Sequence, residues 1–165
     1  MAKSHNLLIV ASALCFLSLV GISRCHSDRF FVEGQVYCDT CRIEFVTRVS
    51  EFLEGARVRL ECRNRTGGDI AYTREGVTDK NGRYSLPIDG DFEDDICEVT
   101  LVKSPREDCS ELPIDPFARQ AAKVSLTSNN GVVDPIRSAN PLGFMISNPL
   151  PECHEVLKEL ALLDN

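Results

Sequence analysis

Two cysteines three positions apart have the strongest chemical potential in this chain. Cys38 and Cys41 form a C-x-x-C pair with Asp39 between them. Such a pair can be a redox couple, can supply two zinc ligands, or can consist of half-cystines bonded elsewhere. A redox thiolate is favoured at a helix N-terminus, whereas this pair ends a predicted strand and encloses a carboxylate. A zinc site needs a second closely spaced pair, and Cys97 and Cys109 are too far apart. The pattern therefore favours two structural half-cystines.

Three other groups could carry chemistry. The acidic run 89–95 offers carboxylate oxygens to calcium, but it lacks the spacing and terminal Glu of an EF-hand, so we predict a solvated acidic loop. His154 follows a cysteine directly and has no nucleophile motif near it. The chain contains no G-x-S-x-G, H-E-x-x-H or phosphate-loop pattern. We therefore predict no catalytic residue, no cofactor and no metal. Asn64-Arg65-Thr66 is an N-glycosylation sequon before two glycines, and we predict glycosylation of Asn64.

The elements around these groups are mostly β. Residues 56–63 alternate apolar and charged side chains, which is typical of a half-buried strand. Asn81-Gly82 separates two further strands and predicts a hairpin. The predicted strands are 30–38, 56–63, 70–77, 83–87, 97–102, 121–126 and 142–146. We predict a mainly β fold of about seven strands, a Greek-key-like sandwich or barrel. Residues 104–117 and 128–141 are predicted loops, and residues 152–163 a short C-terminal helix.

The N-terminus has the layout of a secretory signal peptide. Lys3 precedes an apolar run over residues 7–20, which is shorter than the ~20 residues of a membrane helix. We predict a cleaved signal over residues 1–25, with the boundary between 23 and 27, and one domain over 26–165. Loss of Cys15 and Cys25 would leave six cysteines, which can pair completely. The mature chain would carry 16 basic and 25 acidic residues, a formal charge of −9. This charge argues against nucleic acid and anionic membranes as partners, and we predict no membrane insertion after cleavage.

The segment around the cysteine pair resembles a plant family signature. It reads Glu33-Gly34-Gln35-Val36-Tyr37-Cys38-Asp39-Thr40-Cys41-Arg42. This is similar to the signature of the pollen Ole e 1-like family, which includes the major olive-pollen allergen and is often grouped with extensin-like proteins. The six cysteines after the signal also follow the family's order and approximate spacing, so the resemblance covers essentially the whole mature chain.

The resemblance implies a disulfide pairing that the sequence alone cannot choose, since six cysteines allow 15 arrangements. The implied pairs are Cys38–Cys109, Cys41–Cys153 and Cys62–Cys97. A second segment, Gly76 to Leu86, is similar to the T-D-x-x-G-x-Y hairpin of transthyretin-like and carboxypeptidase-regulatory β-sandwiches. Those domains are often accessory modules without chemistry of their own.

The family resemblance implies a secreted, non-catalytic extracellular protein of pollen or anther. It would bind a receptor-kinase ectodomain or a cell-wall component during pollen hydration, germination or tube growth. We expect the binding surface in loops 64–69, 89–95 and 128–141. One alternative is a structural wall protein, which the absence of serine–polyproline repeats disfavours. The other is an enzyme inhibitor, although no single rigid scissile loop stands out.

Overall fold

The computed structural model describes residues 29–113 and 121–161. Within these residues, ten strands and one helix follow one another in chain order. They are β1 (Arg29–Asp39), β2 (Glu51–Phe52), β3 (Arg57–Asn64), β4 (Ile70–Val77), β5 (Arg83–Asp89), β6 (Asp95–Lys103), β7 (Cys109–Glu111), β8 (Ala121–Val124), β9 (Ile136–Ser138), β10 (Leu142–Ile146) and α1 (Cys153–Glu159). The mainly β prediction is confirmed.

The long strand β1 organises the first sheet. Its first half pairs antiparallel with β5 and parallel with β9. Its second half pairs antiparallel with β2 and parallel with β10, and β10 in turn pairs with β7. Alternate side chains along β1 explain why one face is buried: Phe30, Val32 and Val36 all point into the core. One strand therefore connects both halves of a six-stranded sheet.

The second sheet has the order β4-β3-β6-β8, and every pair in it is antiparallel. Val58, Leu60 and Cys62 of β3 point inward, while Arg57 and Arg59 on the other face contact Glu75 of β4. The buried faces of the two sheets form one continuous cluster. The fold is a β-sandwich whose core is apolar on both inner faces.

Three short strands and the helix end differ from the sequence prediction. β2 was not predicted, β7 lies in predicted loop 104–117, and β9 lies in predicted loop 128–141. Two or three residues are too few to show an alternating pattern, so only pairing with longer neighbours defines these strands. The helix ends at Glu159, since Ala161 has a positive φ of 54° and Leu160 is exposed.

Some predictions fall outside the described residues: the signal peptide over 1–25, its predicted boundary between 23 and 27, the end of predicted loop 104–117 from residue 114 on, and the last predicted helical leucine at position 163. Across residues 29–113 and 121–161, no helix has the length and apolar character needed to cross a membrane.

Candidate recognition surface

The cysteine pair of the signature is divided between two distant partners. Cys38 is bonded to Cys109, and Cys41 is bonded to Cys153. The structure also joins Cys62 to Cys97, which face each other on β3 and β6. These are the same three pairs that the family resemblance implies. No thiol of the C-x-x-C motif is free for redox or zinc chemistry in this arrangement.

The polar residues of the signature shape the chain after β1. The Asp39 carboxylate, fully buried, accepts hydrogen bonds from the Cys41 N–H at 3.1 Å and the Glu44 N–H at 2.6 Å. Thr40 donates from its hydroxyl to a backbone carbonyl nine residues later. Arg42, with a positive φ of 57°, donates to Glu111 at 2.6 Å and so reaches β7. These side chains hold the turn after β1 in place.

The signature and the hairpin motif interlock through two glycines. Tyr84 of β5 lies opposite Gly34 of β1, and a Cβ at Gly34 would come within 2.4 Å of the tyrosine hydroxyl. Gly82, with φ of +68°, packs against the backbone of Val36, whose N–H donates to the Gly82 carbonyl at 2.8 Å. Both recognised motifs are therefore explained by packing and turn geometry.

Tyr84 combines a buried side chain with an unpartnered hydroxyl. Its hydroxyl has no hydrogen-bond partner among the described residues, although the side chain is 3% exposed. Burial raises the pKa of Tyr84 well above its ordinary range, because the phenolate would be poorly solvated. Burial therefore favours the protonated form of this hydroxyl.

The predicted binding loops 64–69 and 89–95 and the part of predicted loop 128–141 that precedes β9 lie at one end of the sandwich. Asn64 at the start of loop 64–69 is the register partner of Asp95 at the end of loop 89–95. Thr127 donates to Asp91 at 3.2 Å, and Asn129 donates to Glu93 at 2.6 Å. We call this surface the loop end, and define it as residues 64–69, 89–95 and 125–136.

A buried arginine holds the third loop in a fixed shape. Arg137 of β9 is 7% exposed, and its guanidinium lies over the Phe30 ring at 4.7 Å. Its nitrogens donate to backbone carbonyls along the loop rather than to a carboxylate. The acceptors are the carbonyls of Ser125, Thr127, Val132, Asp134 and Ile136. One side chain thus ties together both ends and the middle of the segment 125–136.

This ordered loop presents apolar side chains to solvent. Val133 is 97% exposed, and Val132 and Ile136 are about half exposed. Beside them a groove of about 330 Å³ is lined by Phe30, Val132, Val133, Pro135 and Arg137 among others. Exposed apolar residues on an ordered loop, beside a groove, are typical of an interaction site.

A larger groove lies elsewhere on the molecule. It has a volume of about 520 Å³ and runs along β1 and β5. Its walls bond to one another: Ser85 donates to Glu33 at 3.2 Å, and the Gln35 side chain contacts the Asn81 carbonyl at 3.5 Å. Two groups in its lining have shifted pKa values, and each shift has a structural cause: backbone N–H groups lower the pKa of Asp79, and burial raises the pKa of Tyr84. Size alone therefore does not make this groove the better candidate.

The remaining candidate residues are placed as follows. Asn64 is exposed, and its side-chain oxygen accepts from the N–H groups of Thr66 and Gly67. In the acidic run, Asp91 accepts a hydrogen bond from Thr127 and Glu93 accepts one from Asn129, whereas Asp89 pairs with Arg29. The part of the chain described by the structure contains no group of three or more potential metal ligands. His154 is exposed on α1.

Comparison with known proteins identifies the family. A family model described as "Pollen protein Ole e 1 like" matches residues 28–161. This chain belongs to the pollen Ole e 1-like family. Pollen allergen Che a 1 of Chenopodium album is 58% identical over 164 residues, which cover 99% of this chain and 98% of that protein. The anther-specific protein LAT52 of Solanum lycopersicum is 48% identical over 162 residues, covering 98% and 97%.

A solved structure supports the Ole e 1-like fold. The crystal structure of the major plantain pollen allergen Pla l 1 matches with a TM-score of 0.70 and 38% sequence identity. The match covers 76% of this chain and 99% of the allergen. The resemblance read from the signature is thereby confirmed, and so is the disulfide-stapled β architecture.

Within this Ole e 1-like chain, sequence reasoning missed the arginine that holds the loop end and the two valines at its tip. An arginine is normally expected at the surface, and the residues beside Arg137 in the sequence do not predict its burial. Val132-Val133 is a visible signal, since it is an apolar pair inside a segment rich in Asn, Gly and Pro. The loop was predicted to be exposed, but its apolar tip was not singled out.

Proposed function

We propose that this Ole e 1-like chain is a secreted, non-catalytic extracellular protein of pollen or anther, and that its loop end binds a receptor-kinase ectodomain or a cell-wall component. The signal peptide over 1–25 would direct secretion, and Asn64 would carry a glycan at the rim of the loop end. The binding would serve pollen hydration, germination or tube growth.

One observation carries the proposal: the exposed apolar tip at Val133 belongs to a loop that Arg137 fixes from within. A single exposed valine on a mobile loop would be an ordinary surface residue and would not indicate a binding site. A valine held in one orientation loses little conformational entropy on binding and can enter a partner's apolar pocket. The names of the relatives, pollen allergens and an anther-specific protein, support the tissue.

The absence of catalysis is supported by how the described polar residues are used. The buried carboxylate Asp39 caps a turn, and the six cysteines are bonded. The one perturbed buried hydroxyl beside the larger groove, Tyr84, is held in its protonated form by burial. The disulfide-bonded sandwich thus supplies a rigid scaffold, and the loops supply the contact surface.

Binding by matched variants tests the proposal. We would compare wild type with Val133→Asp, and with Val77→Asp as a control, since Val77 is also well exposed but lies on edge strand β4. The probes would be a panel of pollen-expressed receptor-kinase ectodomains and purified wall polysaccharides. We expect at least one probe to bind, with Val133→Asp weakening binding about tenfold or more, or about 1.4 kcal/mol. The control should bind like wild type. Equal binding by both variants would refute the assignment to the loop end.

A further inference from the structure

Two identical dipeptides in this chain have very different surroundings. Asn81-Gly82 forms the turn between β4 and β5, and Asn130-Gly131 lies in the loop end. In an Asn-Gly sequence the glycine nitrogen can attack the side-chain Cγ of asparagine, because glycine has no Cβ to obstruct the approach. We propose that Asn130 is a site of spontaneous deamidation in the folded protein, and that the fold protects Asn81.

The chemistry needs water and no other reactant. The Gly131 nitrogen loses its proton and forms a bond to Cγ of Asn130, while the bond from Cγ to the side-chain nitrogen breaks and ammonia leaves. The product is a five-membered succinimide. Water then opens the ring at one of its two carbonyls. One opening gives aspartate at position 130, and the other gives isoaspartate, in which the backbone runs through the side-chain carbon.

The folded hairpin prevents this reaction at Asn81. The Gly82 N–H donates to the Asp79 carbonyl at 2.9 Å, so the attacking nitrogen is already engaged. Gly82 is buried, and a Cβ there would lie 2.6 Å from the Val36 carbonyl oxygen, which leaves no room for the chain to twist. The Asn81 N–H is also held by the Asp79 carboxylate at 2.8 Å. Ring formation therefore requires the hairpin to open first.

The surroundings of Asn130 favour the reaction. Its side-chain oxygen accepts from the Val132 N–H at 3.0 Å, which keeps the amide turned toward the following backbone. The same N–H faces the oxygen that gains negative charge when the nitrogen adds to Cγ, so it stabilises the tetrahedral intermediate. The Asn130 side-chain nitrogen, which becomes ammonia, donates to the Ser125 hydroxyl at 3.1 Å, which also holds the amide in this orientation. Around Gly131 there is open space, with no atom within 4 Å of a Cβ position.

The product changes the loop end in two ways. Either product adds one carboxylate to a surface that is already acidic. Isoaspartate also inserts one more carbon into the backbone just before Val132 and Val133, and so moves the apolar tip relative to the Arg137 clamp. This inference stands on the local geometry and does not depend on the proposed function.

Peptide mapping by mass spectrometry tests the proposal on the full secreted protein. Native protein would be incubated at mildly alkaline pH, and fragmentation would locate each gain of about one dalton at Asn81, Asn129 or Asn130. We expect Asn130 to react about tenfold faster than Asn81 or more, because Asn81 reacts only from open states. The rate at Asn130 should rise with pH, since the attacking nitrogen must lose a proton.

The same protein, reduced and unfolded in guanidinium, is the control that separates structure from sequence. There the two Asn-Gly sites should react at similar rates. A second control is Asn130→Gln, which should remove the modified species with no change at Asn81. Equal native rates at the two sites, or an Asn130 that reacts when unfolded but stays intact when native, would overturn the proposal.

Discussion

Removal of the Cys62–Cys97 bond should destabilise the sandwich by a large fraction of its total stability. The bond joins residues 35 apart in sequence on adjacent strands of the second sheet. Closing a loop of that length removes enough entropy from the unfolded chain to contribute about 4 kcal/mol. Domains of this kind are stable by about 5–15 kcal/mol. The Cys62→Ala, Cys97→Ala variant should therefore lose between about a quarter and most of its unfolding free energy.

Comparing two kinds of replacement side chain separates the effect of losing the bond from the effect of changing its buried surroundings. Both cysteines are buried, so alanine leaves a small apolar site, whereas serine places two hydroxyls in the core. A buried hydroxyl without a partner costs about 1–3 kcal/mol. The Cys62→Ser, Cys97→Ser variant should thus be less stable than the alanine pair, and its secretion yield should fall sharply.

Guanidinium unfolding of the purified variants measures the free-energy difference, and yield in the culture medium measures the consequence for export. The two longer bridges span 71 and 112 residues, so the same reasoning assigns each of them between about 4 and 5 kcal/mol. A loss below about 1 kcal/mol for the alanine pair, or wild-type secretion of the serine pair, would refute the reasoning. Non-reducing peptide maps of the wild type must first show the three bonds, since each predicted loss of stability presumes that the corresponding bond is present.

Three further substitutions test the packing described above. Tyr84→Phe should leave stability unchanged or raise it by about 1 kcal/mol in thermal unfolding, because it removes a buried hydroxyl without a partner; a clear loss would reveal a bound water. Gly34→Ala should cost about 1–3 kcal/mol in the same assay, since its Cβ would meet the Tyr84 hydroxyl; a neutral result would contradict the packing. Asp79→Asn should flatten the acid limb of the stability profile. The backbone N–H groups of Arg83 and Asn81 lower the pKa of Asp79, so its stabilisation is present above the ordinary carboxyl pKa and is lost as pH falls through the depressed value. An unchanged acid limb would contradict this role.

The parts of the fold that sequence could predict are those with long periodic patterns. The alternation along β3 and the Asn-Gly turn at 81–82 each identify an element from local residues alone. β9 could not be found that way, since three residues between loops have no pattern of their own and are defined by pairing with β1.

For the candidate site too, local residues predict some features, and only the tertiary structure determines the others. Exposure of the loops followed from their Gly, Pro and acidic content, but their meeting at one end follows from the sheet register, which no single segment encodes. The burial of Arg137 depends on carbonyls contributed by a loop folded around it. Such a residue cannot be recognised before the loop's path is known.

The overlap of the three disulfides along the sequence means that a cut in the backbone has unequal consequences along the chain. A peptide bond broken in loop 64–69 or 89–95 is bridged by all three bonds, because each of them spans that part of the sequence. A cut in the segment 128–135 is bridged by Cys41–Cys153 alone. A nicked molecule therefore remains one covalent unit at any of these sites until it is reduced. Two of the loops are retained by redundant links, while the apolar tip depends on the bond that anchors the C-terminal helix.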